Sequence, residues 1–202
     1  MTKAAFSQSK IAIVGAGLMG RMLAVALAQQ GAKVDLFDQS GPDAKQAAAR
    51  IAAAMLAPLA ESAITEDSVV RMGIHSLPRW KAIISKLSSP VFFQQDGTLI
   101  LWHRQDSNDA ERFTAHLKKN GLRNHQLPFP QILDRQALIQ LEPSIADRFQ
   151  QGLYLPNEGQ LDNRQLLDAL MTELDLLSVR CHWYSEVNPE SLRDLSLFDQ
   201  VL

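Results

Sequence analysis

The sequence has too few cysteines, and histidines too scattered, for a disulfide framework or a metal centre. Cys181 is the only cysteine among 202 residues, which excludes an internal disulfide and any cysteine-rich zinc or iron–sulfur site. The five histidines lie at positions 75, 103, 116, 125 and 182, and none of their spacings is that of a metal-binding motif. We therefore expect no metal ion, and a lone cysteine agrees with a cytosolic location.

An excess of charge of one sign and long apolar runs are also lacking. The 20 basic and 22 acidic residues give a net charge of −2, which supports neither a nucleic-acid footprint nor a polybasic membrane anchor. The apolar stretch over residues 11–28 contains Arg21 and three glycines, so it falls short of the roughly 20 apolar residues of a spanning helix. It also lacks the pattern of a signal peptide. We predict a soluble, cytoplasmic globular protein without nucleic-acid or membrane partners.

What the sequence does contain, near its start, is a pattern typical of dinucleotide binding. We predict a buried strand over residues 10–14, a helix over 18–30 and a second strand over 33–38 that ends on Asp38. The first strand is followed by the motif Gly-x-Gly-x-x-Gly, formed by Gly15, Ala16, Gly17, Leu18, Met19 and Gly20. Together these elements occupy about 29 residues, close to the roughly 30 of a dinucleotide-binding βαβ unit.

The glycines and the acid each have a physical role in such a unit. Gly15 permits the tight turn out of the strand, Gly17 lets the backbone approach a pyrophosphate, and Gly20 allows close packing of the helix on the strand. The helix N-terminus offers free N–H groups and a partial positive charge. Asp38 is placed to accept hydrogen bonds from the adenosine ribose, and its charge disfavours NADP. We predict that the six motif residues and Asp38 bind an adenine dinucleotide.

The motif alone does not distinguish NAD from FAD. Its Gly-Leu-Met-Gly form resembles NAD-dependent hydroxyacid and hydroxyacyl-CoA dehydrogenases, in which another parallel strand is expected soon after Asp38. This chain continues instead with an alanine-rich stretch over residues 43–60 that contains no clear strand. A fragment of an NAD-dependent dehydrogenase and a non-enzymatic nucleotide-binding protein are the alternatives at this point.

The segment Ala52-Ala-Ala-Met-Leu-Ala-Pro-Leu-Ala-Glu61 resembles a segment of the FAD-dependent glycine and D-amino-acid oxidase family. The similarity is greatest to the glycine oxidase branch linked to thiamine biosynthesis. In that family the segment lies along the flavin and contacts it largely through the backbone. The resemblance therefore implies FAD as the cofactor, with flavin contacts at Ala54, Met55 and Leu56, although many relatives have glycine in place of Ala54. The competing interpretation is a simple alanine-rich helix.

Further elements follow in the order expected of that family. They are a helix over 64–87 that Pro78 kinks or divides, strands over 91–95 and 98–102 joined in a hairpin by Asp96-Gly97, a helix over 106–121 ended by its glycine, a short helix over 133–142, a strand over 151–156, a helix from about residue 163 capped by Asp162 or Asn163, and a strand over 179–184. The acids Glu173 and Asp175 are expected to be solvated.

The resemblance implies an α/β fold in two parts. These are a Rossmann-like FAD-binding domain with the GxGxxG βαβ unit and part of an inserted, mainly antiparallel α+β substrate domain. We assign residues 1–87 to the first segment of the FAD-binding domain, 88–158 to the start of the substrate domain and 159–202 to the return to the FAD-binding domain. Because residues 196–202 are apolar and strand-like, we expect the chain to be the N-terminal part of a longer protein.

The resemblance also implies a reaction. Family members oxidatively deaminate a small amino acid or amine: a hydride passes from the α-carbon to the flavin, the imine hydrolyses, and oxygen reoxidises the flavin with release of hydrogen peroxide. The family's arginine that binds the substrate carboxylate has no matching position in these residues. We therefore assign no catalytic residue and expect this chain alone to be inactive, with a small-molecule substrate and a possible homo-oligomer as its partners.

Overall fold

The computed structural model describes residues 8–145, 147–188 and 195–202. The chain divides into two compact units: the first comprises Met1–Ala54, Ile84–Phe92 and Asp162–Leu202, and the second comprises Met55–Ile83 and Phe93–Leu161. Residues 55–83, which we assigned to the FAD-binding domain, thus cluster with residues 93–161. The division into functional domains remains a prediction, because contacts alone do not assign a function to either unit.

The described residues form strands and helices that alternate along most of the chain. The strands are β1 (Lys10–Val14), β2 (Lys33–Phe37), β3 (Met55–Leu56), β4 (Phe93–Gln94), β5 (Thr98–Leu101), β6 (Gln131–Asp134), β7 (Gln151–Leu155), β8 (Gly159–Leu161), β9 (Arg180–His182) and β10 (Gln200–Val201). The α-helices are α1 (Leu18–Gln29), α2 (Ala48–Ile51), α3 (Pro58–Glu61), α4 (Asp67–Ile84), α5 (Ser107–Arg123), α6 (Arg135–Leu141) and α7 (Asn163–Leu176). Within the part of the chain that the structure describes, no helix is long and apolar enough to cross a bilayer.

The first unit is built on a parallel sheet with the strand order β10-β1-β2-β9. Residues 11–13 of β1 and 34–36 of β2 are buried, which is typical of parallel strands covered on both faces. α1 connects β1 to β2 and packs against α7. This arrangement is Rossmann-like. It confirms the predicted βαβ unit, with the helix ending one residue earlier than expected.

Helix α7 begins at a side-chain cap, as the sequence predicts. Asp162 accepts hydrogen bonds from the backbone N–H groups of Arg164 and Gln165, both at 2.9 Å, so Asp162 and not Asn163 is the capping residue. The helix carries an apolar stripe of four buried leucines, namely Leu166, Leu167, Leu170 and Leu174. This stripe fixes α7 against the rest of the first unit.

One acid of α7 is not solvated, and that expectation is wrong. Glu173 is only 6% exposed. Its Oε1 accepts a hydrogen bond from the backbone N–H of Ser88 at 2.6 Å and a second one from the Ser88 hydroxyl. The carboxylate satisfies two donors in the segment 84–92, which explains why burial is tolerated.

The second unit contains two three-stranded antiparallel sheets, with the orders β3-β8-β4 and β5-β7-β6. Helices α4 and α5 each contribute to its apolar core. The buried core residues are Leu59, Val70, Leu117, Leu127, Leu153 and Leu155. The antiparallel sheets with helices match the α+β character expected of the inserted part.

The predicted hairpin at Asp96-Gly97 is wrong, although strands flank it on both sides. β4 pairs with β8 and β5 pairs with β7, so residues 93–101 run antiparallel to residues 152–161 and not to each other. The register shifts by one residue between Gln94↔Gln160 and Thr98↔Leu155. Gly97, with φ +91°, donates its N–H to Glu158 O at 2.9 Å. The Asp-Gly pair therefore lies between strands of two different sheets, where the pairing changes its register.

Two helix boundaries also differ from the sequence prediction. α4 is continuous from Asp67 to Ile84, so Pro78 does not divide it. α5 continues past Gly121 to Arg123. Gly121 is buried, and the ring of Phe129 lies 3.5 Å from where a Cβ would stand, so this glycine permits close packing and does not end the helix.

The predicted short helix over 133–142 starts two residues later, as α6. Asp134 caps it by accepting a hydrogen bond from Ala137 N at 2.9 Å. Leu133 and Asp134 belong instead to strand β6, which pairs with β7 and which we did not predict. The strand was missed because only its pairing with a distant segment distinguishes it from the start of the helix.

Candidate dinucleotide-binding site

The glycine-rich loop joins β1 to α1 by a tight turn that needs glycine at its first position. Gly15 has φ +102°, a backbone conformation that side chains rarely adopt. Its N–H donates to Phe37 O at 2.8 Å, which ties the start of the loop to the end of β2. α1 then begins at Leu18 with Gly17 as its N-cap. The loop therefore brings the N-terminus of α1 to the carboxyl ends of both strands.

The second and third glycines of the motif lie in opposite environments. A Cβ on Gly17 would meet no atom within 4 Å, so this position faces open space. A Cβ on Gly20 would stand 1.8 Å from the carbonyl oxygen of Gly15, which no rotation of a side chain could relieve. Gly20 therefore permits helix packing, whereas Gly17 keeps the loop accessible, as the sequence predicts.

The N-terminus of α1 is free to bind an anion. Within the described part of the chain no side chain caps it, and no acidic residue lies in its first turn. The first N–H groups of a helix have no partner within the helix, and they carry the positive end of its dipole. Together with the open space at Gly17, this geometry fits a pyrophosphate.

Asp38 directly follows β2 and contacts the glycine-rich loop. Its Oδ2 accepts a hydrogen bond from Ala16 N at 2.6 Å, and its Oδ1 accepts one from Ser40 N at 2.7 Å. These two bonds fix the orientation of the carboxylate, and each oxygen retains a further lone pair. Asp38 thus lies where a ribose beside the pyrophosphate could bond to it, and the ribose contact remains a prediction.

Two cavities border the loop, and Gly17 and Ala47 line both. The larger, of about 740 Å³, has a mostly apolar wall that includes Val14, Met19 and Leu23. The smaller, of about 110 Å³, is lined on its polar side by residues 38–41 and Gln46. A dinucleotide has both polar and aromatic parts, so a loop with a polar and an apolar cavity beside it suits such a ligand.

The alanine-rich segment is not a single helix. Only α2, four residues long, is helical between Asp43 and Ala57. Ala54 has φ +58°, a conformation that glycine adopts at lower cost and that ends any helix there. The competing interpretation of this segment as a simple helix is therefore wrong.

The predicted flavin contacts fall in both units. Ala54 is the last residue of its segment in the first unit, whereas Met55 and Leu56 form β3 in the second unit. β3 is an edge strand, paired on one side only, with Met55 opposite Gln160. Its other side presents backbone groups, which is what a backbone contact to a ligand would use. The flavin contacts remain a prediction.

Two residues that organise the site were not recognised from the sequence. Asn163 donates from Nδ2 to the carbonyls of Ala49 and Ala52, and so holds the alanine-rich segment of the first unit. Arg21 lies completely buried directly behind the motif. A charged residue on the apolar side of a predicted helix was the available signal for Arg21.

Among the described residues, no cluster of possible metal ligands is found.

The second unit contains one deeply buried acid, Glu158. Glu158 is 1% exposed, and its Oε1 accepts a hydrogen bond from Ala60 N at 2.8 Å. Its Oε2 has no hydrogen-bond partner among the described residues. Burial raises the pKa of the Glu158 carboxyl above its usual range, and the hydrogen bonds to the backbone oppose that rise only in part.

We expect Glu158→Gln to remove part of the pH dependence of folding. Because the folded-state pKa is raised, the folded protein holds the proton more tightly than the unfolded chain. Stability is therefore full below the unfolded pKa and falls as the pH rises through the folded pKa. We therefore subtract the melting temperature of the unmodified protein from that of the variant at each pH. This difference should be larger at pH 8 than at pH 4. Glu111→Gln, at an exposed position of α5, is the matched control, and equal pH profiles for all three proteins would contradict the expectation.

One family model covers most of the chain. The model of the DAO family, described as FAD dependent oxidoreductase, matches residues 10–192. The chain belongs to this family. FAD is accordingly the dinucleotide that its members use, which confirms the predicted cofactor and decides against the NAD-dependent alternative.

Individual relatives agree with this assignment. The putative thiamine biosynthesis oxidoreductase ThiO of Rhizobium etli is 30% identical over 166 residues, which are 82% of this chain and 46% of that protein. The structure of glycine oxidase from Geobacillus kaustophilus matches with a TM-score of 0.71 at 22% identity, over 89% of this chain and 48% of that one. Iminodiacetate oxidase from Chelativorans sp. BNC1 matches with a TM-score of 0.67 at 18% identity, over 85% and 46%. The DAO-family chain therefore spans about half the length of these relatives, and its α/β fold is confirmed.

Proposed function

We propose that this chain binds FAD at the glycine-rich loop and belongs to an oxidase of a small amino acid or amine, glycine being the first candidate. The main support for this cofactor site is the uncapped N-terminus of α1. Open space lies beside Gly17, and a hydrogen bond from Ala16 N fixes the Asp38 carboxylate next to the loop. The names of the relatives, ThiO and glycine oxidase, favour an amino-acid substrate.

In this proposal the protein binds FAD and orients the substrate, and the cofactor accepts the electrons. The backbone N–H groups at the start of α1 bind the pyrophosphate, Asp38 binds the adenosine ribose, and residues 54–56 contact the flavin through their backbone. FAD held by these residues would supply the acceptor for a hydride from the substrate α-carbon, and dioxygen would take up the two electrons as hydrogen peroxide. Hydrolysis of the resulting imine releases ammonia. The inactivity of this chain alone, its oligomeric state and its cytoplasmic location stay predictions.

The assay that tests the function uses the product of the complete gene. We expect it to purify with bound flavin and to form hydrogen peroxide from glycine, sarcosine, proline or a D-amino acid, each tested separately, with an equal amount of ammonia where the substrate is a primary amine. Catalase should remove the peroxide signal without affecting ammonia release. A protein that purifies without flavin and does not take up FAD would contradict the proposal.

The ribose contact has its own test. Asp38→Ala should weaken FAD binding by about 1–3 kcal/mol, because a hydrogen bond to a charged group is lost. The loss of affinity should be measured by titration of FAD fluorescence. The melting temperature is recorded as well, because the variant also loses the hydrogen bonds from Ala16 and Ser40, and that loss affects stability. Asp43→Ala, at a position whose carboxylate pairs with the exposed Lys45, is the control. An unchanged FAD affinity in Asp38→Ala would mean that the ribose lies elsewhere.

A further inference from the structure

Arg21 is a buried cation directly behind the glycine-rich loop. It is the fourth residue of α1, and its side chain is 0% exposed. Arginine is almost never fully buried unless it is paired. The position therefore requires an explanation beyond the packing of α1.

The guanidinium of Arg21 bonds to three separate segments of the first unit. Nε donates to Ala16 O at 2.8 Å, Nη1 to Leu167 O at 3.0 Å and Nη2 to Pro42 O at 2.7 Å. The guanidinium also lies over the ring of Trp183, 5.6 Å from its centroid. Ala16 is in the glycine-rich loop, Pro42 is in the turn after Asp38, and Leu167 is in α7. One planar side chain thus joins the glycine-rich loop to the turn after Asp38 and to α7.

All three acceptors are neutral carbonyls. Among the described residues, no carboxylate forms an ion pair with Arg21, and Asp168 and Asp38 act on it only through longer-range attraction. Burial lowers the pKa of Arg21 from its usual range, yet a guanidinium stays protonated in proteins. A buried charge without a partner of opposite sign is costly.

The position along α1 adds to this excess of positive charge. A cation in the first turn of a helix lies at the positive end of the helix dipole, where it destabilises the helix and an anion is favoured. The same turn carries no acidic residue and no cap. The charge of Arg21 and the dipole of α1 therefore act together on whatever lies at the glycine-rich loop.

We propose that Arg21 is a positioning residue for the FAD pyrophosphate, whose negative charge compensates the buried guanidinium. The proposal rests on the proposed placement of FAD at the glycine-rich loop. In this proposal Arg21 does not touch the pyrophosphate. Its hydrogen bond to the Ala16 carbonyl fixes the loop so that the N–H groups of the loop face the ligand. The guanidinium also supplies a positive charge, which water screens poorly because the side chain is buried. The diphosphate, and not the nucleoside, is therefore the part of the cofactor whose binding depends on Arg21.

The test compares ADP with adenosine, which differ only in the diphosphate. Dissociation constants of both are measured by NMR chemical-shift titration, which extends into the millimolar range, for the 202-residue chain and for Arg21→Gln and Arg21→Lys. Glutamine keeps hydrogen-bond donors without the charge, whereas lysine keeps the charge without the planar fork. Lys33→Met, an exposed residue at the start of β2, controls for net charge.

We expect Arg21→Gln to raise the dissociation constant of ADP about tenfold and to leave that of adenosine within about twofold. Arg21→Lys should keep the ratio of the two affinities near that of the unmodified chain while lowering the melting temperature. Lys33→Met should change neither ligand's affinity. If Arg21→Gln fails to fold, the test relies on the ratio of the ADP affinity to the adenosine affinity in Arg21→Lys. A value of this ratio near one would overturn the proposal.

Two other outcomes also contradict it, and they are distinguishable from each other. Equal weakening of ADP and adenosine by Arg21→Gln, or no weakening of either, would give Arg21 a purely structural role. Failure of the unmodified chain to bind ADP at all would instead overturn the proposed placement of the cofactor, and the role of Arg21 with it.

Discussion

Gly20→Ala should destabilise the first unit by about 3 kcal/mol or more, the largest effect of any single methyl group that we expect here. Its Cβ would stand 1.8 Å from the Gly15 carbonyl oxygen and 3.0 Å from the Gly15 carbonyl carbon. Both are backbone atoms of the loop that β1 and α1 hold in place. The helix propensity of alanine contributes only about 1 kcal/mol in the opposite direction, so the steric term decides the sign.

The expected loss corresponds to a melting temperature lower by roughly 6–12 °C for a chain of this size. It is measured by thermal denaturation followed by circular dichroism, without ligand. Ala26→Gly, at an exposed position of the same helix, is the control for helix propensity alone. A Gly20→Ala variant as stable as the unmodified chain would show that α1 does not approach Gly15 as closely as described.

Gly17→Ala should have the opposite profile, a nearly unchanged stability with a large loss of FAD affinity. Gly17 has φ −70° and ψ −169°, which alanine adopts without strain, and its Cβ would meet no atom of the protein within 4 Å. Loss of a favourable N-cap costs no more than about 1 kcal/mol. The added methyl group would, however, occupy the space through which a pyrophosphate approaches the backbone.

A steric conflict of about 1–3 kcal/mol at that contact corresponds to an affinity lower by roughly 5- to 150-fold. FAD and ADP titrations should both report it, since the pyrophosphate is common to both ligands. Gly20→Ala serves as the counterpart, because its effect should be on stability. Unchanged FAD binding in a folded Gly17→Ala variant would place the pyrophosphate away from the loop.

The first βαβ unit could be predicted from the sequence because its signals are local. The buried strand, the spacing of Gly15, Gly17 and Gly20, and the acid at the end of the second strand lie within a single stretch of chain. Each is also required by the backbone geometry of the tight turn and helix start. The structure accordingly reproduces β1, α1 and β2 with almost the same boundaries.

The strand pairing of the second unit could not be predicted in the same way. Asp96-Gly97 is a strong local turn signal, yet the chain on either side pairs with residues 152–161, more than 50 positions away. β3, only two residues long, likewise exists because β8 lies beside it. A local pattern does not identify a partner, so β4, β5 and β7 were found without their pairing, and β3, β6 and β8 were missed.

Buried charge was the other feature that sequence patterns missed. Arginine and glutamate are usually exposed, so Arg21 and Glu173 were expected to interrupt or face away from the core. Arg21 is buried because three carbonyl groups surround its guanidinium, and Glu173 because Ser88 provides two donors. Such partners come from distant segments and are known only once the fold is known.

The measurement that tests the account most directly is an amide chemical-shift map of the chain during titration with FAD. Binding of the cofactor at the glycine-rich loop predicts saturable shifts concentrated at residues 15–20 and 38–40, and the same shifts at these positions when ADP replaces FAD. Shifts absent from the glycine-rich loop, or centred on another part of the chain, would contradict the placement of the cofactor on which the proposed function depends.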